Sequence, residues 1–303
     1  MLGTKTLGKS ALWAVGLLMG VAGCGLSGSG APDAGCTGSS CSQTGECPLL
    51  ANTTVTATVS ANGCALLQRD TSSCQAARQA QGLTGYWLKF SCRVTLTKTG
   101  QSGAAMVQAV ADGQPDYKSN YFVATDACHE TYTGGLQNPN TLSAKSYTVL
   151  FPETSDMVQK PMMDAVVGLA LNGVPIYGNF AAPGDDIFQE ARTFDRCAAH
   201  PQMGGSYHYH SEPVSISSQD ARFIGVMRDG YPIYGRMDAA GLPTNLDSSG
   251  GHLGTTEDSP TTPVYHYHVN EQTSTSGTTV GQKQWFITKG SFRGTPAACT
   301  TCR

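Results

Sequence analysis

Two stretches of this chain carry residues whose types and spacing suit metal chemistry, Tyr207-His208-Tyr209-His210 and Tyr265-His266-Tyr267-His268. Side chains at i and i+2 of an extended strand share a face. His208 and His210 then point one way and Tyr207 and Tyr209 the other, and the second stretch divides in the same manner. Two imidazoles on one face, joined by a third from a loop, make a three-nitrogen metal site with a position left open. His200 and His252 are the natural third ligands, eight and fourteen residues ahead of His208 and His266. The structural alternative for each pair is a hydrogen-bonded histidine on a half-buried strand rich in tyrosine. Six of the seven histidines occupy matching places in two blocks, which brings the metal reading level with the structural one, since a duplicated structural motif would recur in the same way.

Asp195 and Asp247 each lie five residues before their third histidine. A metal-bound histidine usually gives its other N–H to a carboxylate or carbonyl, and these aspartates suit that role as well as they suit a turn or cap. Tyr207, Tyr209, Tyr265 and Tyr267 would pack around the ligands. The seventh histidine, His129 beside Glu130, is a candidate extra ligand or proton carrier. Imidazoles with few carboxylates and no neighbouring thiolate pair suit Zn or Cu better than Ca or Mg. The first geometry is one three-histidine site per block, and the second is a single site fed by both His-x-His pairs. No Gly-x-Ser-x-Gly elbow, Walker loop or His-Glu-x-x-His motif is present.

The elements that must position these residues recur with them. Gly168 to Gly178 and Gly225 to Gly235 align, ending in Val174-Pro175-Ile176-Tyr177-Gly178 and Tyr231-Pro232-Ile233-Tyr234-Gly235. Asn172-Gly173 and Asp229-Gly230, each between apolar runs, predict type I′ hairpins. Pro175 and Pro232 then predict second strands that lie at an edge or pair on one side only. The Pro-Ile-Tyr-Gly element reads as a structural corner whose Tyr177 and Tyr234 can still reach the site. Alternation predicts strands over 54–59, 86–97, 146–151, 166–171 and 284–287, with weaker ones over 104–111 and 121–124. A short helix is expected within 64–82, stopped by Gly82, and another within 185–200, while 237–263 reads as a polar loop. The fold expected is mainly β with short helices: one large β-rich domain containing an internal pseudo-two-fold repeat, its halves at 166–210 and 223–268.

The first 23 residues read as a lipoprotein signal peptide. Lys5 and Lys9 precede an apolar run too short to span a bilayer, and Val21-Ala22-Gly23-Cys24 then places small residues before a cysteine to be lipidated. Gly25 after it points to the outer membrane within the cell envelope. Residues 24–47 form a Gly-, Ser- and Ala-rich tether, 48–114 a β-rich region, and 295–303 a tail. Setting Cys24 aside leaves ten of eleven cysteines, an even number that in an exported chain implies disulfides. Cys64 and Cys74 are close enough for a local bridge, and Cys299-x-x-Cys302 reads as a tail staple. A net charge of −3 and the lack of any basic cluster exclude nucleic acid as a partner. The membrane, through Cys24, is the one partner the sequence indicates.

The double Tyr-His-Tyr-His motif resembles the YHYH-domain family of exported proteins. The resemblance extends over about 115–294. It is carried by Asn172-Gly173-Val174-Pro175, Phe194-Asp195-Arg196-Cys197 with His200, Gly204-Gly205-Ser206 before the first motif, Asp229 to Gly235, and Asp247 with Gly251-His252. His129 with Asn138-Pro139-Asn140 resembles the family's entry segment, and Ser291-Phe292-Arg293-Gly294 its end. The resemblance supports a YHYH domain over 115–294 and implies no activity. Related sequences often carry Cys where this chain has Ser249 and Ser291, which implies that these two serines lie close together. The function expected is a lipid-anchored extracytoplasmic metal-binding protein. The alternatives are a metalloenzyme, hydrolytic with Zn or oxidative with Cu, and a metal-free module for adhesion or carbohydrate binding.

Overall fold

The computed structural model describes residue 64 and residues 69–101 and 103–302. The signal peptide, Cys24, the tether and the strand expected over 54–59 lie outside the described residues. In chain order the described elements are helix α1 (Gln75–Ala80), a 3-10 turn (Gly85–Lys89), strands β1 (Thr95–Gln101), β2 (Ala104–Ala111), β3 (Tyr147–Pro152), β4 (Lys160–Pro161), β5 (Val166–Ala170) and β6 (Pro175–Tyr177), helix α2 (Ile187–Glu190), and then strands β7 (Ala199–Pro201), β8 (Tyr207–Tyr209), β9 (Phe223–Met227), β10 (Pro232–Tyr234), β11 (Gly251–Thr256), β12 (Ser259–His268), β13 (Asn270–Thr273), β14 (Lys283–Phe286) and β15 (Ser291–Phe292). The protein is mainly β, as its composition implies.

Among the described residues eight strands form the large sheet, in the order β11-β12-β10-β9-β5-β6-β8-β7. β5 and β9 pair antiparallel at its centre. From that pair outward, both halves run through the same succession: a hairpin partner (β6, β10), a parallel strand carrying the Tyr-His-Tyr-His motif (β8, β12), and an edge strand carrying the third histidine (β7, β11). β1, β2 and β3 make a separate antiparallel sheet. Its Val107, Val149 and Phe151 share one hydrophobic cluster with Leu169, Phe223 and Tyr234 of the large sheet.

Each hairpin closes differently from the type I′ expectation. Gly173 and Gly230 have φ of +90°, but Asn172 and Asp229 do not share the left-handed region. The Gly173 N–H donates to Ala170 O and the Ala170 N–H to Val174 O, and residues 227–231 repeat the pattern. That is a three-residue loop with glycine at its left-handed position. The second strands also depart from expectation, since β6 and β10 are interior. Pro175 and Pro232 are nonetheless tolerated, because each is the first residue of its strand and pairs only with the hairpin partner, Leu169 or Val226.

Four other expectations change. Residues 86–97 begin as the 3-10 turn and become strand only at Thr95, because Trp87 and Phe90 stack on one another at 5.7 Å instead of alternating between faces. Residues 121–124 are not a strand, and Tyr121 there donates its hydroxyl to Thr193 O. Much of 237–263 is β11 and the start of β12, a hairpin that Thr and Ser suit as well as a loop does. Cys64 bonds Cys128 and Cys74 bonds Cys92, rather than each other. Cys299 and Cys302 do form the tail staple, Cys197 is also disulfide-bonded, and Ser249 Oγ lies 2.9 Å from Ser291 Oγ. Among the described residues no helix is long and apolar enough to cross a membrane.

Candidate metal centres

The strand geometry brings the six histidines into two separate triads, His200/His208/His210 and His252/His266/His268, and not into one shared site. Within each half the third histidine sits directly across the ladder from the first of the motif, His200 opposite His208 and His252 opposite His266. The i+2 histidine completes the cluster. In the first triad, His208 Nε2 lies 3.1 Å from His200 Nε2 and 3.0 Å from His210 Nε2. In the second, the three Nε2 separations are 3.2, 2.9 and 3.2 Å. Tetrahedral ligands at about 2.0–2.1 Å from zinc stand roughly 3.3 Å apart, so both triads match a ligand set closely.

The opposite nitrogen of every ring faces an acceptor. His208 Nδ1 is 3.0 Å from Ser206 O and His210 Nδ1 2.6 Å from Gly178 O. His266 Nδ1 is 3.0 Å from Val264 O and His268 Nδ1 2.7 Å from Gly235 O. His252 Nδ1 meets Asn245 Oδ1 at 2.8 Å. His200 Nδ1 meets Thr193 Oγ1 at 2.7 Å, and that hydroxyl already donates its one proton to Glu190 O. Asn138 Nδ2, at 3.5 Å, is too distant to compete. A carbonyl cannot donate, so the ring must, which fixes the proton on Nδ1 and leaves Nε2 as a bare lone pair. Three such lone pairs then converge in each triad.

Burial reinforces this state. It holds His200 and His208 well below the usual imidazole range, with neighbouring imidazoles adding to the effect. Burial lowers His210 and His266 to about 4, and lowers His268 as well. Neutral, Nδ1-protonated imidazoles are the form that binds a cation through Nε2.

The remaining candidates serve the frame. Asp195 and Asp247 do not receive a histidine N–H. Each accepts from the first tyrosine of its motif: Tyr207 donates to Asp195, and Tyr265 to both oxygens of Asp247 at 3.1 and 3.0 Å. Each also closes the tight loop before its third histidine, Asp195 Oδ1 accepting from the N–H of Cys197 and Ala199, and Asp247 Oδ1 from Ser249 and Gly251. The second tyrosine reaches the hairpin turn, Tyr209 accepting from Asn172 Nδ2 at 3.1 Å and Tyr267 donating to Asp229 at 2.5 Å. His129 lies in neither triad, its Nδ1 2.8 Å from Phe122 O. Tyr177 stacks on His208 at 3.8 Å and Tyr234 meets His266 edge-on at 5.4 Å. The Pro-Ile-Tyr-Gly corner is therefore part of each centre, its tyrosine ring and its glycine carbonyl each contacting a triad histidine.

Two carboxylates escaped the sequence reading. Glu190 Oε2 lies 4.0 Å from His200 Nε2 and 3.9 Å from His210 Nε2, and Asp238 Oδ2 lies 4.0 Å from His252 Nε2. Burial, with Asp185 adding, pushes Glu190 up to about 7. Neither stands at a matching place in the two blocks, so no pattern pointed to them. The first triad and Glu190 line a cleft of about 570 Å³, walled by Ala165, Tyr177, Ala182 and Pro183.

A family model described as YHYH protein matches residues 184–243, from α2 through the first motif to the loop after β10. No curated protein and no solved structure matches the chain.

Proposed function

With a YHYH family match across the first centre as premise, we propose that this chain is a metal-binding protein of the cell envelope, holding one cation in each three-histidine centre. The carrying observation is that all six Nδ1 atoms are committed to acceptors while the Nε2 lone pairs meet at 2.9–3.2 Å. Bringing three lone pairs together in a buried site is repulsive unless a cation lies among them. Zinc and copper suit an all-imidazole set. The described cysteines are disulfide-bonded, so none offers a thiolate to compete. The similar construction of the two halves is what duplication of a single metal-binding unit would leave. Protein purified without a histidine tag is expected to carry two equivalents of zinc or copper by elemental analysis, and His208→Ala/His210→Ala to carry one. Two equivalents in that variant, or none in the parent, would remove the proposal.

The same reading places the domain on a lipid anchor at Cys24, supported by the small residues before it and the Gly-rich stretch after it. Metabolic labelling with a fatty acid should mark the parent chain and not Cys24→Ser, and equal labelling of both would count against the anchor.

A further inference from the structure

The two carboxylates stand on the metal side of their centres. Every Nδ1 is already satisfied, so Glu190 does not orient a ring. It approaches the Nε2 atoms of His200 and His210, at 4.0 and 3.9 Å, beyond hydrogen-bonding reach of either. A gap of that size is bridged by a water or closed by a ligand. Glu190 ends α2, whose Asp186 cap accepts from the Phe188 N–H at 2.9 Å, so the carboxylate is presented from a held element. The cleft over it is of small-molecule size. Its walls are largely apolar, the exposed side chains of Met163 and Met203 line it, and among the described residues no lysine or arginine does. Apart from the bound cation, an anionic substrate would find no basic side chain there to offset Glu190 and Asp185, whereas a neutral one would not be repelled.

We propose that the first centre is hydrolytic, acting on small neutral esters, with Glu190 as its proton acceptor. The inference rests on the metal reading above. Three imidazoles leave one position for water, and a bound cation makes that water acidic. Glu190 takes one proton from the water as its oxygen forms a bond to the ester carbonyl carbon. The carbon–alkoxide bond then breaks, and Glu190 returns the proton to the departing oxygen. One water and one ester are consumed, one acid and one alcohol released, and no oxidant or reductant is needed. Apolar walls accommodate the acyl and alkyl groups, and Asn138, Asn140 and Gln202 supply amides able to donate to a carbonyl.

The test uses the full chain loaded with cobalt(II), whose visible spectrum reports its ligands. Azide should perturb the parent spectrum by entering the open position. The parent should hydrolyse 4-nitrophenyl acetate, while Glu190→Gln retains two equivalents of cobalt and loses at least about 100-fold in rate. Retained cobalt shows that the variant has folded. A parent spectrum blind to azide, or a Glu190→Gln variant as fast as the parent, overturns the assignment while leaving metal binding intact. A parent that takes up no cobalt at all removes the metal reading and this one together.

Discussion

At the scale of single residues, the two halves reach one geometry with different side chains, and Ala198 shows the consequence. The loops from Asp195 to Ala199 and from Asp247 to Gly251 carry the same hydrogen bonds, and their fourth residues are left-handed: Ala198 at φ +68° and Gly250 at +86°. A Cβ in that region costs roughly 1 kcal/mol, partly offset by the greater freedom of glycine in the unfolded chain. Ala198→Gly is therefore expected to stabilise by a few tenths to about 1 kcal/mol. Gly250→Ala should destabilise by about 1 kcal/mol or more, since its Cβ would also stand 3.2 Å from Asn270 Nδ2. Denaturant midpoints for the pair check this, and shifts of the same sign would refute it. The six histidines of the triads were legible because imidazole is rare and its spacing recurred. Their orienting partners were not, because Ser206, Gly178, Val264 and Gly235 act through backbone carbonyls that any residue supplies. Thr193 and Asn245 do act through side chains, but they lie seven residues ahead of their histidines with no shared residue type to reveal them.

At the scale of elements, the motif reads as a parts list whose joints lie in the fold. The Asp-to-His step of five residues is the length of a side-chain-capped loop that delivers the third histidine into an edge strand. The Gly-containing turn supplies the residue that meets the second tyrosine. Tyr207 and Tyr209 thus face a hydrogen-bonded layer while His208 and His210 face the centre, as strand alternation requires. Turn chemistry misled at one point. Asn-Gly and Asp-Gly fit a two-residue loop, but the wider loop leaves Asn172 and Asp229 outside the left-handed region, with their side chains turned to the tyrosines. The β11–β12 hairpin was hidden by its Gly, Ser, Thr and Pro content, which suits a loop equally well.

At the scale of the whole molecule, the order of the large sheet could not be deduced from strand propensities, because it rests on pairings between distant segments. Among the described strands its two margins are β7 and β11, and each carries one histidine of a triad whose other two lie on, or just beyond, the neighbouring strand. A cation in each centre would rivet an outermost strand to the body of the sheet. Removing it would loosen both hems together and bare main-chain groups able to pair with another molecule. Chelation should therefore raise amide exchange first in residues 199–201 and 251–256, with light scattering following. Exchange that rises instead at the β5–β9 seam would contradict this. The chain's tendency to self-associate would then be governed by metal supply, so that starvation for the ion, more than heat, is the hazard against which this sheet is guarded.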